Sequence, residues 1–80
     1  MKARLHIMPK SGVLDPQGKA IQGALAGLGF EGILDARQGK VIELSLTQTD
    51  PARATAEIDA MCRKLLANQV MENFRIELLD

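Results

Sequence analysis

Residues 10–19, Lys-Ser-Gly-Val-Leu-Asp-Pro-Gln-Gly-Lys, join a segment of alternating apolar residues to a segment with helical periodicity. Asp15 is placed to accept hydrogen bonds from the first free N–H groups of the helix, and its charge suits that end of the helix dipole. Pro16 follows at the first helical position, where its missing N–H costs nothing. Gly12 permits a tight exit from the strand. The stretch therefore predicts a strand, a well-determined loop and a helix.

The flanking residues support this prediction. Alternation over residues 2–8 indicates a half-buried strand with one apolar face, formed by Ala3, Leu5 and Ile7. The predicted helix has its own apolar stripe, made of Ile21, Ala24, Leu25 and Leu28. Gly29 suits a left-handed end to that helix.

A second Asp-Pro pair, Asp50-Pro51, predicts the start of a second helix, which Asn68 can end. Its expected apolar stripe is Ile58, Met61, Cys62, Leu65 and Leu66. Three further strands are predicted at residues 33–38, 41–47 and 74–79. Gly39 is expected to supply the positive φ of a tight hairpin between the first two of them, which would point Ile42, Leu44 and Leu46 to the core.

The predicted order is β-α-β-β-α-β, the ferredoxin-like arrangement of the α+β class, in a single domain spanning residues 1–80. Two helices would cover one face of a four-stranded antiparallel sheet. The uncovered face would be too apolar for solvent and too charged for a dry core, which favours an interface between two copies of the chain. The residues expected there are Arg4, His6, Met8, Leu34, Val41, Glu43, Ser45, Arg75, Glu77 and Leu79, with His6, Met8, Glu43 and Arg75 chosen as the dimer interface.

The bulk composition excludes several classes of protein. Ten basic and ten acidic residues among 80 give zero net charge, which argues against a nucleic-acid partner. No apolar run approaches the roughly 20 residues of a membrane span, and the N-terminus lacks a signal-peptide core, so we expect a cytoplasmic protein without membrane contact. One cysteine allows no internal disulfide. So small a domain usually needs added support, and a partner chain is the option left.

The residues suited to catalysis are few. His6 and Cys62 are the single imidazole and the single thiol, so no nucleophile, base and orienting group can be assembled, and no metal or cofactor site is expected. Cys62 is expected in the core and His6 at an interface or in solvent. An alternative function is a stand-alone dimeric regulatory module that binds a small anionic metabolite at the loop from Gly12 to Gly18. A small independent enzyme is a third possibility.

Several motifs carry a family resemblance over the whole chain, in order and without gaps. They lie at residues 9–19, 28–30, 37–40, 42–44 and 61–74. Together they resemble the PurS family, the small subunit of formylglycinamide ribonucleotide amidotransferase, also called phosphoribosylformylglycinamidine synthase. Gln69 departs from the family pattern, which often has proline at this place.

The resemblance implies a role in de novo purine synthesis, in a complex that converts formylglycinamide ribonucleotide, ATP and glutamine to formylglycinamidine ribonucleotide. A glutaminase subunit would release ammonia, and a large synthetase subunit would use ATP and Mg²⁺. The small subunit would have no active site and no cofactor of its own. It would form a homodimer, or a dimer of dimers, and would be needed for assembly and for ammonia transfer. Partner contacts are expected at Lys10, Gly12, Asp15, Gln17, Arg37, Gly39 and Lys40.

Overall fold

The computed structural model describes residues 1–79 and contains two helices and three strands. In chain order these are β1 (Lys2–Pro9), α1 (Pro16–Gly27), β2 (Lys40–Ser45), α2 (Pro51–Met61) and β3 (Glu72–Leu79). A π-helical turn, Cys62–Leu66, continues α2. In the described part of the chain, no helix is long and apolar enough to cross a membrane.

The sheet is antiparallel and has β1 at its centre, in the order β2-β1-β3. Leu5 lies opposite Ile42 on one side and opposite Ile76 on the other. Because side chains alternate along a strand, this register places Leu5, Ile42 and Ile76 on one face, together with the residues two positions away along each strand. Ala3, Leu5 and Ile7 are completely buried there, as the alternation predicted.

α2 packs on this apolar face. Its Ile58, together with Cys62 of the π-helical turn, is fully buried against the residues of β1. The predicted stripe is wrong at two positions, since Met61 and Leu65 are exposed, Leu65 by 82%. A π-helical turn has more residues than an α-helical turn, so it changes which residues face the sheet.

The strand predicted at residues 33–38 is absent from the described structure, so the sheet has three strands where four were expected. The segment runs beside α1 instead, where Leu34 accepts a hydrogen bond from Gln22 at 3.3 Å. The hairpin prediction is also wrong, because Gly39 is not among the glycines with positive φ. Glycine is needed there for space, since a Cβ would collide with the carbonyl oxygen of Ile7 and the sulfur of Met8.

The expectation that both helices cover the sheet is wrong as well. Gly18 is the only residue of α1 that is buried. The radius of gyration is 15.9 Å and the extents are 48 × 26 × 15 Å, whereas a compact domain of this length would have a radius of about 12 Å. We call α1 and the returning segment, residues 16–38, the arm, because they project from the body formed by the sheet and α2.

Candidate interaction surfaces

The sheet face that α2 does not cover is called the open face. By the strand register, its members are Lys2, Arg4, His6, Met8, Val41, Glu43, Ser45, Asn73, Arg75, Glu77 and Leu79. All the residues that the sequence predicted for the uncovered face are among them except Leu34, which lies in the arm. The four predicted dimer-interface residues therefore share one surface.

Opposite charges pair across the strands of the open face. The guanidinium of Arg4 lies 3.3 Å from a carboxylate oxygen of Glu43 and 3.8 Å from one of Glu77. His6 Nε2 lies 2.9 Å from the same Glu77 oxygen. The hydrogen bond with His6 and the charge of Arg4 hold the pKa of Glu77 below its usual value. Because solvent screens exposed ion pairs, this row of charges adds more to the selection of a partner than to stability.

A groove of about 550 Å³ crosses one end of the open face. His6, Met8 and Arg75 line it, whereas Glu43 lies farther along β2. Gly39 and Lys40, which were predicted to contact a different partner, form part of the same groove. The two predicted interfaces therefore meet at the start of β2.

The loop after β1 and the end of the arm form a second surface, which we call the loop end. A cleft of about 400 Å³ is lined there by the residues from Lys10 to Asp15 and by Lys19, Asp35, Ala36 and Arg37. Gln17 joins this region through its hydrogen bond to Gln38. The structure thus brings five of the seven predicted partner-contact residues together at the loop end, although they come from two separate parts of the sequence. The other two, Gly39 and Lys40, lie in the groove of the open face.

Asp15 connects the two parts of the loop end. One carboxylate oxygen accepts the backbone N–H of Gly18 at 3.0 Å, which is the predicted helix cap. The other oxygen accepts the backbone N–H of Gln38 at 2.9 Å. These two N–H donors lower the pKa of Asp15, and Gly18 has the larger effect. The contact with Gln38 was not predicted from the sequence, because nothing in the spacing of residues 15 and 38 indicates that they meet.

The charges of the cleft are mixed. Lys10, Lys19 and Arg37 supply positive charge, and Asp15 and Asp35 oppose it. Both carboxylate oxygens of Asp15 are already engaged within the chain. A cleft with this balance suits a partner protein that carries both signs of charge better than a small free anion.

His6 and Cys62 lie on opposite faces of the sheet. His6 lies on the open face beside Glu77, and Cys62 is buried under the sheet. Burial, with a smaller effect of Asp59, raises the pKa of the Cys62 thiol and so disfavours the reactive thiolate. Within residues 1–79, no three His, Cys, Asp or Glu side chains are grouped closely enough to hold a metal ion.

Comparison with known proteins agrees with this architecture. The family model of PurS, phosphoribosylformylglycinamidine (FGAM) synthase, matches residues 2–80. The phosphoribosylformylglycinamidine synthase subunit PurS of Synechocystis is 44% identical to this chain, over 94% of this chain and 75% of its own length. The corresponding subunit of Bacillus subtilis is 40% identical, over 95% of this chain and 89% of its own length.

Solved structures give the same result. PurS of Methanocaldococcus jannaschii has a TM-score of 0.84 at 37% identity, covering 95% of this chain and 92% of its own. A chain of the PurLQS structure from Thermotoga maritima has a TM-score of 0.87 at 27% identity, covering 98% and 95%. The chain belongs to the PurS family of phosphoribosylformylglycinamidine synthase.

Proposed function

We propose that this chain is the non-catalytic small subunit of a phosphoribosylformylglycinamidine synthase complex, where it holds the synthetase and the glutaminase together so that ammonia passes between them. The observation that carries the proposal is the match, over 98% of this chain, to a chain of the Thermotoga PurLQS structure. In this proposal ATP, Mg²⁺ and glutamine are used by the partner subunits, in the cytoplasm.

The residues of the chain support a role without catalysis. The thiol of Cys62 is buried and its pKa is raised. The imidazole of His6 lies against Glu77 on a sheet face that carries no nucleophile beside it. A substrate held here would meet no paired nucleophile and base, so what the chain offers its complex is surface.

Self-association follows from the exposed apolar surface. Ile21 on α1 is 39% exposed and Leu28, the C-cap of α1, is 74% exposed. Ile42 and Leu44 on the apolar face of β2 are only half-buried. An uncovered helix stripe and a partly covered sheet face on one small chain are complementary surfaces. We propose that the α1 of each chain covers the sheet of a second copy, which gives a two-fold homodimer.

Exchange of the arm would also supply the missing strand. Residues 33–38 form no helix or strand in the described structure, and the outer edges of β2 and β3 are free there. Delivered by the arm to a partner's sheet edge, this segment would restore the four-stranded, ferredoxin-like arrangement that the sequence predicted. The open face, with His6, Met8, Glu43 and Arg75, would then be available to join two dimers.

Reconstitution tests the proposed function. The synthetase and glutaminase are assayed with and without this chain, using either ammonia or glutamine as the nitrogen source. We expect ammonia-dependent activity in both cases and glutamine-dependent activity only when the chain is present. Equal glutamine-dependent activity without the chain would refute the proposal.

The predicted partner surface has its own test. The double variant R37E/K40E reverses two of the predicted partner-contact charges, Arg37 at the loop end and Lys40 in the groove of the open face. The matched control R53E/K64E reverses two exposed charges on α2 and its π-helical turn. We expect the first variant to lose co-purification with the synthetase at an almost unchanged melting temperature, while the control retains it. Intact co-purification of R37E/K40E would refute the contact assignment.

A further inference from the structure

The base of the arm is a crossing of two chain segments. The chain leaves β1 through residues 10–15 to start α1, and it returns through residues 36–39 to start β2. Two hydrogen bonds link the start of α1 to the returning segment, and a third holds the Asp15 side chain in place. They are Asp15 to the N–H of Gly18, Asp15 to the N–H of Gln38, and Gln17 to the side chain of Gln38.

Close contacts at two glycines flank this crossing. Gly18 is buried, and a Cβ there would collide with the carbonyl oxygen of Ala36 and with the Asp15 carboxylate. Gly39 lies against Ile7 and Met8 in the same way. The first turn of α1 therefore packs on the backbone of the returning segment at Ala36, and Gly39 packs on the backbone of β1. These contacts fix the base of the arm, so the arm is not a flexible tether.

This attachment bears on the choice between two ways of covering the sheet. A tethered arm has an effective concentration of the order of millimolar near its own sheet, so a freely swinging arm would fold back within its own chain at ordinary protein concentrations. Such closure is prevented only if the attachment excludes the necessary geometry. In the structure α1 stands away from its own sheet although both surfaces are apolar.

We infer that Asp15, by bridging Gly18 and Gln38, locks the arm away from its own sheet and thereby selects exchange between two chains over closure within one chain. This inference rests on the homodimer proposed above. It assigns Asp15 and Gly18 a role in controlling oligomeric state, separate from contact with the synthetase or the glutaminase.

The variant D15S separates the lock from the helix cap. Serine is also a good N-cap, but its single, shorter hydroxyl cannot serve both Gly18 and Gln38. D50S is the matched control, because Asp50 caps α2 through Ala52 and has no partner on the arm. Light scattering over a dilution series gives the dimer dissociation constant, and small-angle X-ray scattering gives the radius of gyration of each species.

For D15S we expect the dissociation constant to rise by at least about tenfold, the effect of losing one charge-assisted hydrogen bond. We expect its monomer to be compact, with a radius of gyration near the roughly 12 Å of a closed domain. D50S should keep the dimer of the unmodified chain.

A second pair of variants covers the case in which D15S does not fold. G18A forces the crossing apart while improving helix propensity, and G23A makes the same change at a helix position with open space around it. We expect the G18A dimer to dissociate and the G23A dimer to remain intact.

The two proposals fail in different ways. A monomeric unmodified chain would overturn the homodimer together with the lock. A dimeric unmodified chain with equally stable D15S and G18A dimers, or a dissociated variant that stays elongated near 15.9 Å, would overturn the lock alone.

Discussion

Replacement of Leu5 by alanine is expected to remove a large part of the stability of this protein. Leu5 is fully buried at the centre of the middle strand, between Ile42 and Ile76, and it belongs to the cluster that includes Ile58. Truncation of a buried leucine costs about 2–5 kcal/mol, because transfer free energy is lost and a cavity remains. A central value of about 3 kcal/mol compares with a total of about 4–12 kcal/mol for 80 residues.

Urea unfolding followed by circular dichroism measures this loss. With a slope near 1 kcal/mol per molar urea, the midpoint should fall by about 3 M while the slope is unchanged. L65A is the matched control, since the same side chain is truncated at a position that is 82% exposed, and it should change the free energy of unfolding by less than about 0.5 kcal/mol. All samples are compared at one protomer concentration, because dimerisation would make the midpoint depend on concentration. A cost for L5A no greater than that for L65A would refute the placement of the core.

Three further outcomes are expected. D50A should lower the free energy of unfolding by about 1 kcal/mol in thermal or urea melts, because it removes the α2 cap to Ala52; an unchanged melt would contradict the cap. Because the pKa of Glu77 is lowered in the folded state, its carboxylate stabilises the fold above about pH 4, and this stabilisation is lost as the pH falls further. The free energy of unfolding, measured against pH, should therefore decline less steeply below about pH 4 for E77Q than for the unmodified chain. Cys62 should react with a maleimide slowly in the native protein and fully in urea, because it is buried with a raised pKa; rapid native labelling would show that the π-helical turn is open.

Features that depend on neighbouring residues could be predicted from the sequence. Asp15 and Asp50 cap the helices that were expected to begin after them. The alternation of residues 2–8 correctly separated the buried Leu5 from Arg4 on the opposite face. The left-handed end of the first helix at Gly29 is confirmed as well. These features follow from hydrogen bonds and side-chain periods that span only a few residues.

The candidate surfaces were predictable only as sets of residues. Loop chemistry and the family motifs selected the loop after β1 and residues 37–40, but no sequence pattern showed that Asp15 reaches Gln38. Leu65 was wrongly predicted to lie on the buried stripe of the second helix for a similar reason. It lies in a π-helical turn, which depends on how the helix meets the sheet.

The sequence by itself determined where the two capped helices begin, the faces of the central strand and the family. The tertiary structure decided where the arm lies and that residues 33–38 leave the sheet. The physical reason is that an apolar stripe specifies burial but not what buries it. Close backbone contacts at Gly18 and Gly39 fix the base of the arm, so the apolar residues of α1 do not reach the sheet face that they could cover.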